Sequence, residues 1–345
     1  RAQSSELRAQ GARGRGARGE GRGARGEGRS SQFHRLLKNL RKWRRRWIAK
    51  PPPLTFDLHG QEGSDAIRAA LLSPEPVLVA RFGNTELNAV LNWLASRDPR
   101  GLLERSRLYV RGELGAWWWD ARTNRDLVNG AGFYPVNEES LERFAKRLLE
   151  DAGEIDLLGS WLAGEKLLGD RLRAKTLYLP ELEPYLHADP WSEALTGKRV
   201  LVVHPFVESI RRQYEKRRLL FRDPRVLPDF ELLTLQAVQS AGGELPRFPT
   251  WFDALDWMCG EISRTEFDVA LIGAGAYGLP LGAHCKRIGR KAIHLGGASQ
   301  LMFGIRGRRW DEQEHYQKLA NAHWSRALPE ETPRNAQIIE GATYW

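Results

Sequence analysis

The chain has 345 residues, 41% of them hydrophobic, enough for one large domain or two small ones with a real core. Lys and Arg outnumber Asp and Glu by 53 to 43, but residues 1–50 alone hold 16 basic and 3 acidic side chains, leaving the rest near −3. A near-neutral body gives no general case for nucleic-acid binding, and two cysteines exclude a disulfide framework or a multi-cysteine metal site. No apolar run reaches the ~20 residues of a membrane span, and no signal-peptide core is visible, so a soluble, cytoplasmic protein is expected. The first residue is Arg1 rather than Met, as in a fragment or a chain with a misassigned start.

Residues 11–29 read GARGRGARGEGRGARGEGR, with almost no apolar side chain to offset the entropy of ordering. Residues 1–32 are therefore expected to be a disordered Gly/Arg-rich leader. Such a segment can attach to RNA, although nucleic acid ranks last among the partners considered. Residues 33–53 form the next piece, FHRLLKNLRKWRRRWIAK followed by three prolines. Phe33, Leu36, Leu37, Leu40 and Trp47 fall on one helical stripe with basic residues around it, the pattern of a peripheral anchor on anionic lipid. The alternative is a charged linker helix that touches nothing. Pro51, Pro52 and Pro53 end the helix.

Residues 54–345 read as one α/β domain. A helix over 64–73 precedes the apolar strand PVLVARFG (76–83), and NTELNAVLNWLAS (84–96) follows as a helix with Asn84 in the cap position. A Trp-rich stretch leads to a helix over 137–152 and a strand over 155–161. KRVLVVHPF (198–206) is the strongest strand, followed by a helical run, and a further helix lies near 251–262. FDVALIGAGAYG (267–278) is a strand and glycine turn, with a helix and the short strand KAIHLGG (291–297) after it. Apolar strands alternating with helices predict a Rossmann-like, mostly parallel sheet flanked by helices.

Four places could carry chemistry. Gly273, Gly275 and Gly278 form G-x-G-x-x-G between a strand and a helix, with Tyr277 inside it, where backbone N–H groups can approach a phosphate. The acidic residue that a dinucleotide's ribose requires ~20 positions on is replaced by His294, and a purely structural turn is the competing reading. In ARFGNTEL (80–87), Arg81, Asn84 and Glu86 lie at the expected carboxyl edge of the sheet. Asn84 and Glu86 offer oxygens to Mg²⁺ or Mn²⁺; the plainer alternative is a capped helix start with Glu86 favoured by the dipole. His204 sits where a strand meets a helix, a position for a ligand-facing or a structural histidine. The loop GGASQLMFGIRGRRW (296–310) could close over a polyanion or be a glycine-rich connection with a solvated basic tip. Cys259 and Cys285 are expected to be buried small hydrophobes.

These segments, with GFYPVNEESLERF (132–144) and GKRVLVVHPF (197–206), resemble the GT-D type of glycosyltransferase, a bacterial Rossmann-like family that uses nucleotide-sugar donors. The resemblance runs in order over most of residues 65–310. In that family the turn after the early strand carries Asp-x-Glu, which holds the metal on the donor diphosphate; here Glu86 matches the glutamate and Asn84 replaces the aspartate. The resemblance implies transfer of a sugar from a nucleotide-diphosphate donor to a glycan or lipid-linked acceptor, in surface polysaccharide or glycoprotein synthesis. Asn84 and Glu86 would position Mn²⁺ or Mg²⁺, Arg81 would face the diphosphate, and Gly273, Gly275, Tyr277 and Gly278 would admit the nucleotide. His204 would be a polar group at the site. A degenerate sugar-nucleotide-binding protein and a nucleotide-dependent oxidoreductase are the alternatives. Residues 33–50 would hold the protein at the inner face of an anionic membrane.

Overall fold

A computed structural model describes residues 23–48, 53–119, 121–241, 247–339 and 342–345. The chain divides into two units, one made of Arg1–Pro51 with Gly101–Glu113 and the other of Pro52–Arg100 with Leu114–Trp345.

The smaller unit pairs two helices, α1 (Gly23–Trp47) and α4 (Leu102–Arg111). Leu37 of α1 is buried, Arg41 lies over the Tyr109 ring of α4 at 4.6 Å, and Arg44 donates to the Arg111 carbonyl at 3.3 Å. Two expectations change here. The helix starts at Gly23, so the part of the leader over residues 23–32 is helical; residues 1–22 lie outside the described residues. Extending an existing helix adds one hydrogen bond for each residue fixed, which is far easier than starting one. The apolar stripe also splits, because Leu37 and the half-buried Phe33 turn inward while Leu36, Leu40 and Trp47 stay exposed. In this division α4, which lies within residues 54–345, groups with α1.

The larger unit is α/β. Its strands are β1 (Leu78–Ala80), β2 (Leu157–Ser160), β3 (Lys175–Tyr178), β4 (Arg199–His204), β5 (Glu231–Gln236), β6 (Val269–Ile272) and β7 (Lys291–His294). They form one seven-stranded sheet in the order β3-β2-β1-β7-β6-β4-β5, and every pairing is parallel. The central strands are apolar at nearly every position because both faces are covered. Successive side chains point to opposite sides. Leu201, Val203, Ala270 and Ile272 pack in one layer, while Val200, Val202, Val269 and Leu271 pack in the other.

The first layer holds α3 (Asn84–Ser96), α6 (Glu138–Ala152), α9 (Trp251–Arg264) and α10 (Gly278–Arg287). In α6 the buried Leu141, Phe144, Leu148 and Ala152 recur at helical spacing, and in α9 so do Trp251, Leu255, Met258 and Ile262. The second layer holds α2 (Gln61–Leu72), α7 (Val207–Glu215) and the chain after β7. Among the connections lie two shorter helices, α5 (Ala121–Asn129) and α8 (Arg217–Leu220).

This layering sets the site. The chain leaves β4 through α7 on one face, whereas it leaves the adjacent β6 through α10 on the other. Neighbouring strands whose connections diverge to opposite faces open a crevice at their carboxyl ends, which is where ligands bind in such sheets.

Candidate functional site

A cavity of about 130 Å³ lies at that crevice. Its walls come from the end of β4 and the chain after it (His204, Phe206), from the chain after β5 (Ser240) and after β6 (Gly273, Gly275, Tyr277), with Gln300, Tyr344 and Trp345 closing it. Four residues singled out in the sequence therefore meet here: His204, Gly273, Gly275 and Tyr277.

The glycines do different things. A Cβ on Gly273 would fall on Ser299 Oγ and the His204 ring, so that position is glycine because β6 runs close to its neighbours. A Cβ on Gly278 would fall on the His294 ring, again a packing reason, and Gly278 does not line the cavity. Gly275 differs. Its φ is +52°, in the left-handed region, and nothing stands within 4 Å of where its side chain would be. It opens the short turn Gly275–Tyr277 that precedes α10. Of the motif's three glycines, Gly275 is the one whose side-chain position is open space.

His204 is 3% exposed. Its Nδ1 accepts from the Phe206 backbone N–H at 2.9 Å, and because an N–H can only donate, the ring proton sits on Nε2. Burial pushes its pKa down to about 3. His204 is therefore a neutral hydrogen-bond donor at ordinary pH, too weak a base to take a proton from a hydroxyl. Tyr277 is 2% exposed, with its ring stacked on Trp251 at 4.8 Å. Its hydroxyl pairs with Ser240 Oγ at 3.1 Å, and Ser240 donates to the Gly132 carbonyl at 2.6 Å. Burial raises the phenol's pKa well above its usual range, so Tyr277 is a neutral wall.

The other predicted residues sit at and just after the end of β1, which β7 separates from β6, and do not line the cavity. Arg81 carries its guanidinium over the Trp161 ring at 5.1 Å, and a Cβ on Gly296 would lie 2.8 Å from Arg81 Nη1. Gly297, the next residue, lines the cavity, so Arg81 is one residue removed from its wall. His294, 4% exposed, binds the Ile272 carbonyl through Nδ1 at 3.3 Å; burial and then the Arg81 charge push its pKa down to about 3.

Asn84 is not the helix cap. Gly83 is, with extended backbone (φ −78°, ψ 149°), and Asn84 is the first helical residue, its side chain exposed. Glu86 lies three positions past that cap, its carboxylate folded back to where a Cβ on Gly83 would be. A glutamate three positions past the cap turns back on the helix start in this way when it serves the orphan N–H groups there. Among the described residues, no three His, Cys, Asp or Glu side chains converge as a metal's ligand set.

The segment 296–310 is not an open loop. Ser299, Gln300, Leu301, Met302 and Phe303 are buried, and Gln300 donates to the Ile305 and Tyr344 carbonyls at 3.2 and 3.0 Å. Ile305–Arg306 then pairs with Ser325–Arg326, and Arg306 binds Asp311 at 3.0 Å. Its run of apolar residues outweighs its glycines. Cys285 is buried and Cys259 half-buried, and burial raises both thiols, as inert cysteines require.

Sequence reasoning missed Glu165, 5% exposed beside Arg81, whose pKa is raised by burial against the pull of Ser160, backbone N–H groups and the Arg81 charge. It accepts from Ser160 Oγ and from the Trp161 and Leu162 N–H groups at 3.4 and 3.3 Å. The signal available was IDLLGSW, a strand ending in Ser160 and Trp161 with a carboxylate four residues on. Ser240 and Trp345 carried no motif.

No family model, curated protein or solved structure matches this chain, so no relative's residue assignments transfer to these positions.

Proposed function

We propose that this chain is a glycosyltransferase that takes a sugar from a nucleotide-diphosphate donor to a glycan or lipid-linked acceptor. The observation that carries the reading is the cavity at the β4/β6 crevice with the open, left-handed Gly275 in its wall. At about 130 Å³ it takes a phosphate or a sugar ring rather than a whole donor, since pockets for complete ligands run to about 300–1,000 Å³. One end of the donor would occupy it, with the remainder along the sheet edge towards β1.

In this reading the Gly275 turn brings backbone N–H groups to a phosphate, and the Arg81 guanidinium offsets charge on the diphosphate as the sugar leaves. His204 donates Nε2–H to a sugar hydroxyl or phosphate oxygen. Tyr277 on Trp251 gives a rigid wall. Asn84 and Glu86 supply an amide and one carboxylate, a set that fits a Mg²⁺ or Mn²⁺ held mainly by the donor's own phosphates. When bound, that ion would neutralise diphosphate charge. The buried histidines are too weakly basic to activate an acceptor hydroxyl, so acceptor activation is assigned to no residue.

Glu86 folded back on Gly83 favours a second reading, a protein that binds a sugar nucleotide without transferring the sugar. An oxidoreductase has less support, because the end of β7 offers the buried imidazole of His294 to a ribose where a carboxylate is needed.

The test is a thermal-shift panel of nucleotide sugars and NAD(P), with and without Mn²⁺. A ligand that binds the native state stabilises by about 2.7 kcal/mol at a hundred times its Kd. Stabilisation by a sugar nucleotide is expected. Stabilisation by NAD(P) alone would overturn the reading, and sugar-nucleotide binding without product formation would select the second.

A further inference from the structure

Leu36, Leu40, Trp43 and Trp47 of α1 are 55%, 41%, 54% and 68% exposed. Their spacing of four, three and four residues sets them on one straight stripe of the helix. Leu37 and Arg41 lie on the side that meets α4, so pairing with α4 leaves the stripe open. Four large apolar side chains in a row need a partner, and the flanks say which. Arg35, Lys42 and Arg46 recur along one border, and residues 33–48 hold seven Lys or Arg and no acidic side chain. That charge suits a negatively charged surface. Paired tryptophans beside arginines suit the headgroup level of a bilayer, where an amphipathic ring has one side apolar and the other wet. Among the described residues, no helix is long and apolar enough to cross a membrane, so the helix would lie on the surface.

We propose that α1 seats the protein on an anionic lipid surface, with Leu36, Leu40, Trp43 and Trp47 in the acyl boundary and Arg35, Lys42 and Arg46 at the headgroups. The structure places Trp43 in this stripe and removes Leu37 from it. This surface is independent of the donor site, so either proposal can fail alone.

The test uses the full chain with vesicles of pure phosphatidylcholine and vesicles about one third phosphatidylglycerol, at about 0.1 M and 0.5 M salt. Co-sedimentation with the anionic vesicles alone is expected, weakening as salt rises. The double substitution Trp43→Ser, Trp47→Ser changes exposed residues, so the fold should hold, and it should cut partitioning roughly tenfold or more. Arg35→Gln, Lys42→Gln and Arg46→Gln together should weaken the preference for anionic lipid and make it less sensitive to salt. Unchanged binding by the tryptophan variant would overturn the proposal, as would equal binding to both vesicles. So would a wild-type chain that binds RNA and no vesicle, or one that dimerises in solution until the tryptophans are replaced.

Discussion

A histidine that stays neutral in the folded chain but titrates freely once unfolded makes stability depend on pH. His204 and His294 both fall from the ordinary 6.5 to about 3 through burial. Between those values the unfolded chain binds one more proton per histidine, so the stabilisation is complete above about pH 6.5 and is lost as pH falls. The slope is about 1.4 kcal/mol per pH unit for each. Glu165 and Glu183, raised by burial, act in the opposite sense, so the difference between two proteins isolates one histidine. Urea unfolding of wild type and His204→Gln between pH 6.5 and 5 should give a shallower slope for the variant, approaching that amount at the lower end of the range; equal slopes would show that His204 is not buried neutral. Glu86 allows an equally direct comparison. Glu86→Gln keeps the shape and loses the charge at the start of α3, so it should cost at most about 1 kcal/mol of stability. If Glu86 also meets the donor's cation, the Mn²⁺-dependent gain in donor binding should fall while binding without metal persists. At the glycine turn, Gly275→Ala meets no neighbour but must hold a positive φ, at a cost of about 1–2 kcal/mol. Gly273→Ala, which meets Ser299 and His204, should destabilise more. The proposal for the cavity further requires Gly275→Ala to weaken nucleotide binding.

The helices that frame the site rely on caps that can be removed singly. At the start of α6, Asn137 Oδ1 accepts from the Ser140 N–H at 2.9 Å and Ser140 Oγ accepts from the Asn137 N–H at 3.0 Å. Asn137→Ala should cost about 1 kcal/mol, read as a lowered denaturant midpoint with an unchanged slope. This helix was legible in NEESLERFAKRLLEDA, as were β1, β2, β4, β6, β7, α3, α9 and α10, because an apolar strand or an amphipathic helix at the middle of a sheet announces its period. β3 and β5 were not. They are the two edges of the sheet, so KTLY and ELLTLQ keep polar and half-exposed residues and lack the apolar run of a central strand. The same limit applied to the site. Residues that follow a strong strand, such as His204 and Gly275, were found, because strand ends locate the carboxyl edge. Trp345 and Ser240 reach the cavity by tertiary packing alone, which no local pattern records.

Charge divides the molecule much as folding does. The stretch over residues 1–50 carries +13 and the remainder about −3, and the smaller of the two units begins with that stretch. The membrane proposal belongs to this unit and the donor site to the α/β unit. The core of the α/β unit includes Leu78 and Ala80 of β1 and Leu201 and Val203 of β4, and needs nothing from α1. Cutting residues 1–50 should therefore leave the seven-stranded sheet and its donor-induced thermal shift intact. What should change is α4. It would lose Leu37 beside it and Arg41 from the Tyr109 ring, and its ten residues are below the ~12–15 at which an isolated helix becomes stable in water. Amide exchange over Leu102–Arg111 should accelerate towards unfolded rates, while protection of β1, β4, β6 and β7 stays at the wild-type level. Loss of protection in those strands would mean that the two units fold as one, and that the basic helix supports the sheet as well as α4.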